Sequence, residues 1–317
     1  MNSLDLTHWG DGISSVDTGF FRPRFDASHV IVEDGRAAFV DVGTNHSVPR
    51  LLAALDVLGV DPDAVDYVIL THVHLDHAGG AGLLLQRLPN ARLVVHSRGA
   101  RHMIDPSQLI AGATAVYGAD EVQRSYGELM PVDAARVDIA HDGYTIELEG
   151  RPLRFLDTPG HARHHVCVHD ARSAAFFTGD TFGLSYREFD TAKGAFILPT
   201  STPVQFDPDA LKASIARMLE YAPRQMFLTH YSRVGEVPRL ARDLDEQIDA
   251  MVAIARRHAT DGATRHARIA ADLAELYCAR AAAHGCTFGA ERVRELLAMD
   301  IELNAQGLEV WLDRAAA

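Results

Sequence analysis

The sequence predicts an α/β fold with a helical C-terminal extension. Three observations carry this. The first third alternates short apolar runs with segments of helical periodicity, and a strand-rich stretch follows it. Beyond Val237 only helical patterns remain. Between them, the apolar run Tyr67-Val68-Ile69-Leu70 meets His72-Val73-His74-Leu75-Asp76-His77, four metal-capable side chains at a strand end.

The elements follow in order. Residues 28–32 and 37–42 read as strands around the turn Glu33-Asp34-Gly35-Arg36. Residues 48–58 read as a helix with Leu51, Leu52, Leu55 and Leu58 on its apolar stripe, and Asp61-Pro62-Asp63 marks the loop after it. Residues 65–70 form a buried strand ending at the hexapeptide, 81–88 a helix and 91–96 another strand. Residues 99–129 read as mostly helical, either an insertion beside the site or a plain structural pair of helices. Residues 136–139, 144–148 and 153–156 are successive strands, with Asp142-Gly143 and Glu149-Gly150 as turns. Residues 166–169 and 174–178 form a hairpin around Asp170-Ala171-Arg172-Ser173. Residues 207–220 are helical, with Leu211, Ile215 and Leu219 on one stripe, and 226–228 form a short strand delivering Thr229-His230-Tyr231. In the tail, 240–258, 268–283 and 290–303 read as helices, and Gly307 breaks the pattern before a short apolar end at 308–312. This divides the chain into a domain over 1–235 and an extension over 236–317, expected as a helical annex, a homodimerisation element, or both.

Composition narrows the function classes. With 317 residues, 47% hydrophobic and 23% charged, the chain has the material for a large core. A net charge of −13 argues against a general nucleic-acid or anionic-membrane binder, which would be basic. Cys167, Cys278 and Cys286 are odd in number and lack paired metal-site spacing, so free thiols in a reducing compartment are expected. The N-terminus shows no basic region followed by an apolar one, and no 18-residue apolar run occurs. The expectation is a cytoplasmic protein acting on a small molecule, with no nucleic-acid or membrane partner.

His72 and His74 lie two residues apart in extended chain and can point the same way. Asp76 and His77 follow at the turn into a helix, where Gly79 and Gly80 relieve crowding. Four ligands so close together suit two adjacent metals better than one. Imidazole and carboxylate suit zinc most, with iron or manganese as alternatives. The same layout recurs at Asp157-Thr158-Pro159-Gly160-His161, at Phe177-Thr178-Gly179-Asp180 and at Leu228-Thr229-His230, each placing one ligand-type residue at a strand end.

Over residues 12 to 235 this pattern resembles the metallo-beta-lactamase superfamily. The resemblance implies a four-layer αββα sandwich with the metals at one edge. It implies one divalent ion on His72, His74 and His161, a second on Asp76, His77 and His230, and Asp180 bridging both. Asp41, on an early strand, would orient the ligand turn from behind. The two metals would share a hydroxide and aim it at an electrophilic carbon or phosphorus, with Asp76 both ligand and orienting group.

Thr158-Pro159-Gly160-His161 followed by His165 resembles the glyoxalase II and lactonase branch, with His165 behind the ligands and His164 its outward neighbour. A hydrolase of a small ester, thioester or lactone is therefore the leading expectation. Gly179-Asp180-Thr181-Phe182-Gly183 resembles the oxygen-reactive diiron members instead, although these usually carry Glu where His74 stands. A diiron oxygen- or sulfur-reactive protein and a metabolite-binding protein with little turnover are the alternatives. Candidate substrate-side residues are Tyr186 and Tyr231 as catalytic hydrogen-bond donors and Arg187 and Arg233 as anion binders. Phe20, Phe21, Met103 and Tyr126 are candidates for an apolar wall.

Overall fold

A computed structural model describes residues 4–202 and 204–316; Met1-Asn2-Ser3, at the N-terminus read above, lies outside them. Two compact units interleave along the sequence. The first takes Met1–Asp157, His164–Gly179 and Pro223–Arg233, and the second Thr158–Arg163, Asp180–Ala222 and Val234–Ala317.

Two mixed sheets build the first unit. One runs in sequence order through β1 (Leu6–Gly10), β2 (Ile13–Asp17), β3 (Ala27–Glu33), β4 (Arg36–Val40), β5 (Val65–Ile69), β6 (Arg92–His96) and β7 (Val137–Ala140). Its β1 to β4 pairings are antiparallel, and those from β4 to β7 are parallel. The other comprises β8 (Thr145–Leu148), β9 (Arg151–Asp157), β10 (Val166–Asp170), β11 (Ala175–Gly179), β12 (Gln225–Leu228) and β13 (Ser232–Val234), in the order β13-β12-β11-β10-β9-β8. Between the sheets lies a core that includes Ile31, Val40, Ile69, Phe155, Val168, Phe177 and Phe227. A second core covers the opposite face of the first sheet, beneath α1 (Val48–Leu58), α2 (Leu75–Ala78), α3 (Ala81–Leu85) and α4 (Ser97–Ile104). Strands β4 to β6 thus have both faces covered, which is why they read as continuous apolar runs. Leu51 and Leu55 of α1 are fully buried, each contributing about 1.5–3 kcal/mol. Most of residues 99–129 are helical, with α4 followed by α5 (Ser107–Tyr117) and α6 (Ala119–Tyr126).

Strands β1, β2 and β13 were not legible in the sequence. Strand β2 is buried throughout but carries Ser14, Ser15 and Asp17. Its burial is polar: Ser15 Oγ bonds His29 Nδ1 at 2.9 Å and accepts from Trp9 Nε1 at 2.8 Å and from Ser232 Oγ at 2.9 Å. A strand that buries hydroxyls shows no apolar alternation.

The second unit is helical: α7 (Pro208–Leu219), α8 (Val237–Arg257), α9 (Arg265–His284), α10 (Ala290–Leu296) and α11 (Ala298–Ala316). Asp207 caps α7 by accepting from Ala210 N at 3.0 Å. The expected break at Gly307 is corrected, since α11 runs through it. A Cβ at Gly307 would lie 1.5 Å from the Ser201 carbonyl oxygen. Glycine is there because a loop presses on the helix, not because the helix ends. The loop is held by Asn304, whose Oδ1 accepts from Ser201 N at 2.6 Å while Nδ2 donates to Tyr277 Oη at 2.8 Å. The extension expected over 236–317 therefore packs as one unit with 158–163 and 180–222. Among the described residues no helix is long and apolar enough to cross a membrane.

Candidate metal centre

In the first unit Asp41 follows the end of β4, and its carboxylate is fully buried. It is surrounded by donors. Thr71 N donates to Oδ1 at 2.9 Å and Thr71 Oγ1 to Oδ2 at 2.8 Å; Thr229 Oγ1 donates to Oδ2 at 2.7 Å, and His77 Nδ1 lies 2.8 Å from the same oxygen. The carboxylate therefore accepts a hydrogen bond from His77 Nδ1–H and turns Nε2 toward Asp76, 3.9 Å from its Oδ2, as the nitrogen that could coordinate a metal. Thr71 and Thr229 went unnoticed in the sequence, although a signal was present. Leu70-Thr71-His72 and Leu228-Thr229-His230 are the same tripeptide at two strand ends.

His230 is held in the same way, its Nδ1 3.0 Å from the Phe25 carbonyl oxygen and its Nε2 3.4 Å from Asp76 Oδ2. Ligand atoms of Asp76, His77 and His230 all lie within 4.8 Å of one another. Both imidazoles have Nδ1 engaged by an acceptor, so two nitrogens and one carboxylate oxygen face each other. That donor set fits a divalent metal such as zinc or iron. His72 and His74 adjoin them, with His72 Nε2 2.9 Å from His74 Nδ1 and the rings of His72 and His77 4.0 Å apart.

The hexapeptide's path follows from its neighbours. His74 is extended and opens α2, which places Asp76 and His77 in the first turn. The His77 carbonyl accepts from Val42 N at 2.8 Å, and Gly80 N donates to Gly43 O at 2.9 Å. A Cβ on Gly80 would stand 2.6 Å from Thr44 O, so glycine lets the ligand loop lie against the end of β4.

His165 is buried and stacks on His72 at 4.8 Å. Gly179 adopts φ +47°, and a Cβ there would meet Thr71 Oγ1 at 2.4 Å and His165 Nε2 at 2.7 Å. His164 does not turn outward as expected. It is buried, edge-on to His74 at 5.7 Å, because residues 163–164 form a turn before β10 and strand alternation does not apply. Burial, with His74, His102 and His96 nearby, lowers its pKa to about 3. Asp26, also missed, is fully buried, and its pKa is raised to about 7 by burial against the opposing pull of His230 and His77.

In the second unit His161 and Asp180 come together, Nε2 to Oδ2 at 3.5 Å, and both are buried. Gly160 allows this segment to approach α7, since a Cβ would lie 2.3 Å from Leu211 Cα. The Gly160 carbonyl accepts from Asp207 N at 2.8 Å.

The proposed substrate residues have protein partners. Tyr186 is buried and its hydroxyl donates to Asp300 at 2.9 Å. Arg187 turns back onto the Ser185 carbonyl at 3.1 Å and Asp190 at 3.4 Å. Arg233 lies over Trp9 at 5.5 Å, and Tyr231 is buried. Of the expected apolar wall, Met103 belongs to the helix-covered core. Tyr126 stacks on Phe20 at 5.7 Å, Phe20 lies 6.0 Å from Phe25, and Phe25 meets His230 edge-on at 5.2 Å. Phe21 is 61% exposed. The three cysteines form no disulfide, and Cys167 is buried.

Residues 22–230 match the family model of the metallo-beta-lactamase superfamily. Among curated proteins, the chain is 28% identical over 224 residues to a metallo-beta-lactamase fold-containing protein of Sulfurisphaera tokodaii, covering 69% of this chain and 78% of that one. It is 26% identical over 235 residues to the hydroxyacylglutathione hydrolase of Salmonella typhi, covering 70% and 78% respectively. Among solved structures, an archaeal metallo-beta-lactamase superfamily protein from Sulfolobus tokodaii superposes with a TM-score of 0.65 at 23% identity, covering 95% of this chain and 99% of that one. A metallo-beta-lactamase family protein from Thermus thermophilus gives 0.62 at 19% identity, covering 92% and 89%. These likenesses establish the fold, two mixed sheets with helices and C-terminal helices beyond them.

Proposed function

The chain belongs to the metallo-beta-lactamase superfamily, and we propose from that membership that it is a metal-dependent hydrolase of a small ester, thioester or lactone. The observation that carries the proposal is the Asp41 carboxylate, which commits His77 Nδ1 and leaves Nε2 with Asp76 and His230 as a ligand set. The hydroxyacylglutathione hydrolases among the curated relatives support the choice of a small acyl substrate. We assign His72, His74, Asp76, His77, His161, Asp180 and His230 as ligands of two divalent ions, zinc first. When bound, the ions supply Lewis-acid activation of water and of the scissile carbonyl.

The chain's own residues do the rest. Asp41 and the Phe25 carbonyl fix the tautomers of His77 and His230. His165 buttresses His72 by stacking on it. The proposal leaves Tyr186, Arg187 and Arg233 with packing roles, because Tyr186 donates to Asp300, Arg187 to the Ser185 carbonyl and Arg233 to the Gln225 side chain.

The test is elemental analysis of fresh protein together with turnover of an aryl ester, a thioester and a lactone. Activity is expected to disappear in His74→Ala and in Asp180→Ala. Undiminished hydrolysis by both variants after metal depletion would sink the proposal. An iron-loaded protein that consumes oxygen but hydrolyses nothing would decide for the diiron alternative.

A further inference from the structure

The second unit contains a cavity of about 230 Å³ bordered by α8, α9 and residues 193–197. None of its lining residues is among the proposed metal ligands. One of its lining residues, Gln247, is 1% exposed. Gln247 Nε2 donates to the carbonyls of Ile197 and Asp243, both at 2.9 Å, and this pair of acceptors fixes the orientation of the amide. Its Oε1 is then a buried acceptor with no donor among the described residues.

Arg239 presents the converse. Its Nη1 donates to Asp243 at 2.9 Å and its Nη2 to the Ala195 carbonyl at 2.9 Å, while its buried Nε has no acceptor among the described residues. A buried donor and a buried acceptor left unmet at one cavity are costly to fold around, and a molecule supplying both complements would relieve them.

Charge and shape limit the molecule further. Lys193, Arg239 and Arg280 line the cavity with His284, against Asp243 as the one lining carboxylate. Arg239 is also paired with Glu236 at 2.9 Å and Arg280 with Glu246 at 3.0 Å, so the cations line the cavity with their charge largely balanced by carboxylates outside the lining. Lys193 Nζ is anchored on the Ala283 carbonyl at 2.8 Å, and His284 Nε2 lies 3.0 Å from the Gly194 carbonyl oxygen, so both are held in place. Phe196 is buried and stacks on Phe189 at 5.2 Å, giving one wall an apolar face. A water needs only roughly 10–15 Å³ of such space, and the cavity lies below the usual range of drug-sized pockets.

We propose that this cavity binds a small organic carboxylate bearing a hydroxyl or amino group, a 2-hydroxy acid or a 2-amino acid. The carboxylate meets the Arg239 and Arg280 side, and the hydroxyl or amine donates to Gln247 Oε1. The site is independent of the metal centre and of the hydrolytic reading.

The test is calorimetric titration of the full chain with L-lactate, L-alanine, propionate and inorganic phosphate. Lactate or alanine is expected to bind at one site per chain, and whichever binds identifies the source of the donor. Propionate, which lacks the donor, is expected to bind roughly tenfold more weakly, the effect of one ~1.4 kcal/mol interaction. Gln247→Leu should erase that preference, and Arg280→Ala, at a less buried position, should weaken both acids. His74→Ala should leave binding unchanged. The proposal is overturned if neither lactate nor alanine saturates at millimolar concentration. It is equally overturned if propionate and phosphate bind as well as they do, or if His74→Ala rather than Arg280→Ala abolishes binding.

Discussion

Replacing Asp41 by Asn tests whether a buried carboxylate sets the coordinating nitrogen of His77. The change preserves shape and exchanges one acceptor oxygen for an amide. The retained oxygen can still accept from Thr71 N and Thr71 Oγ1, now at 2.9 and 3.1 Å from Oδ1. The amide then faces Thr229 Oγ1 and His77 Nδ1, which lie 2.7 and 2.8 Å from Oδ2 and are donors in the native protein. Thr229 can rotate its hydroxyl and accept. His77 can accept only by moving its proton to Nε2, the nitrogen that faces Asp76 and must be bare to bind metal. The charge-assisted bond lost is worth about 1.5–3 kcal/mol of folding stability. Loss of such a supporting partner lowers metal affinity by roughly 10–100-fold, equivalent to about 1.4–2.7 kcal/mol. Competition with a chromophoric chelator measures the affinity, and urea unfolding in the presence of chelator measures the metal-free stability. Thr229→Val serves as a control that removes one donor without touching the tautomer. If Asp41→Asn binds metal with native affinity and stoichiometry, Asp41 does not set the His77 tautomer.

Three further outcomes follow from the packing. Arg151→Met is expected to cost roughly 3–5 kcal/mol, read from urea denaturation, because it strands the buried Asp170 carboxylate that Arg151 Nε bonds at 3.1 Å. The same pair sets a pH dependence. Burial alone would raise the pKa of Asp170, but bonds from Arg151 and Ser173 outweigh it and hold the group below the ordinary carboxylate value. Its stabilisation is therefore present above the unfolded pKa and lost as pH falls through the lower folded one; acid titration of Arg151→Met should lack that loss. Gly179→Ala is expected to destabilise the chain by about 1–3 kcal/mol and to weaken metal binding, since the new methyl meets Thr71 and His165; native metal affinity in this variant would show that His165 does not support the ligands. Gly307→Ala should lower stability by a similar ~1–3 kcal/mol, because the Ser201 carbonyl lies where the methyl must go; an unchanged unfolding midpoint would return Gly307 to a dispensable position.

Much of the fold was legible because its signals are local. The period-two and continuous apolar patterns of β3 to β12 and the helical stripes of α1 and α7 are properties of neighbouring residues. The ligand-type residues were legible for the same reason, each standing where an apolar run stops. Strand β2 was hidden because Ser14, Ser15 and Asp17 are polar yet buried, with Ser15 satisfied by Trp9 of β1 and His29 of β3, and β1 was hidden because it buries no residue fully. The α11 helix was misread at Gly307 because a sequence does not reveal whether a glycine ends a helix or admits a neighbour.

Sequence by itself determined which residues can bind metal and the kind of chain that presents them. Tertiary structure decided that Nδ1 of His77 and of His230 is engaged by an acceptor and that Nε2 of each is turned toward Asp76. Asp41 reaches 36 residues along the chain to His77 and 188 to Thr229, and His230 is oriented by a carbonyl 205 residues away. Contacts of that span leave no periodic trace, because chain folding alone brings the partners together. The same reason explains Tyr186, whose hydroxyl was free to be assigned until Asp300, 114 residues later, took it.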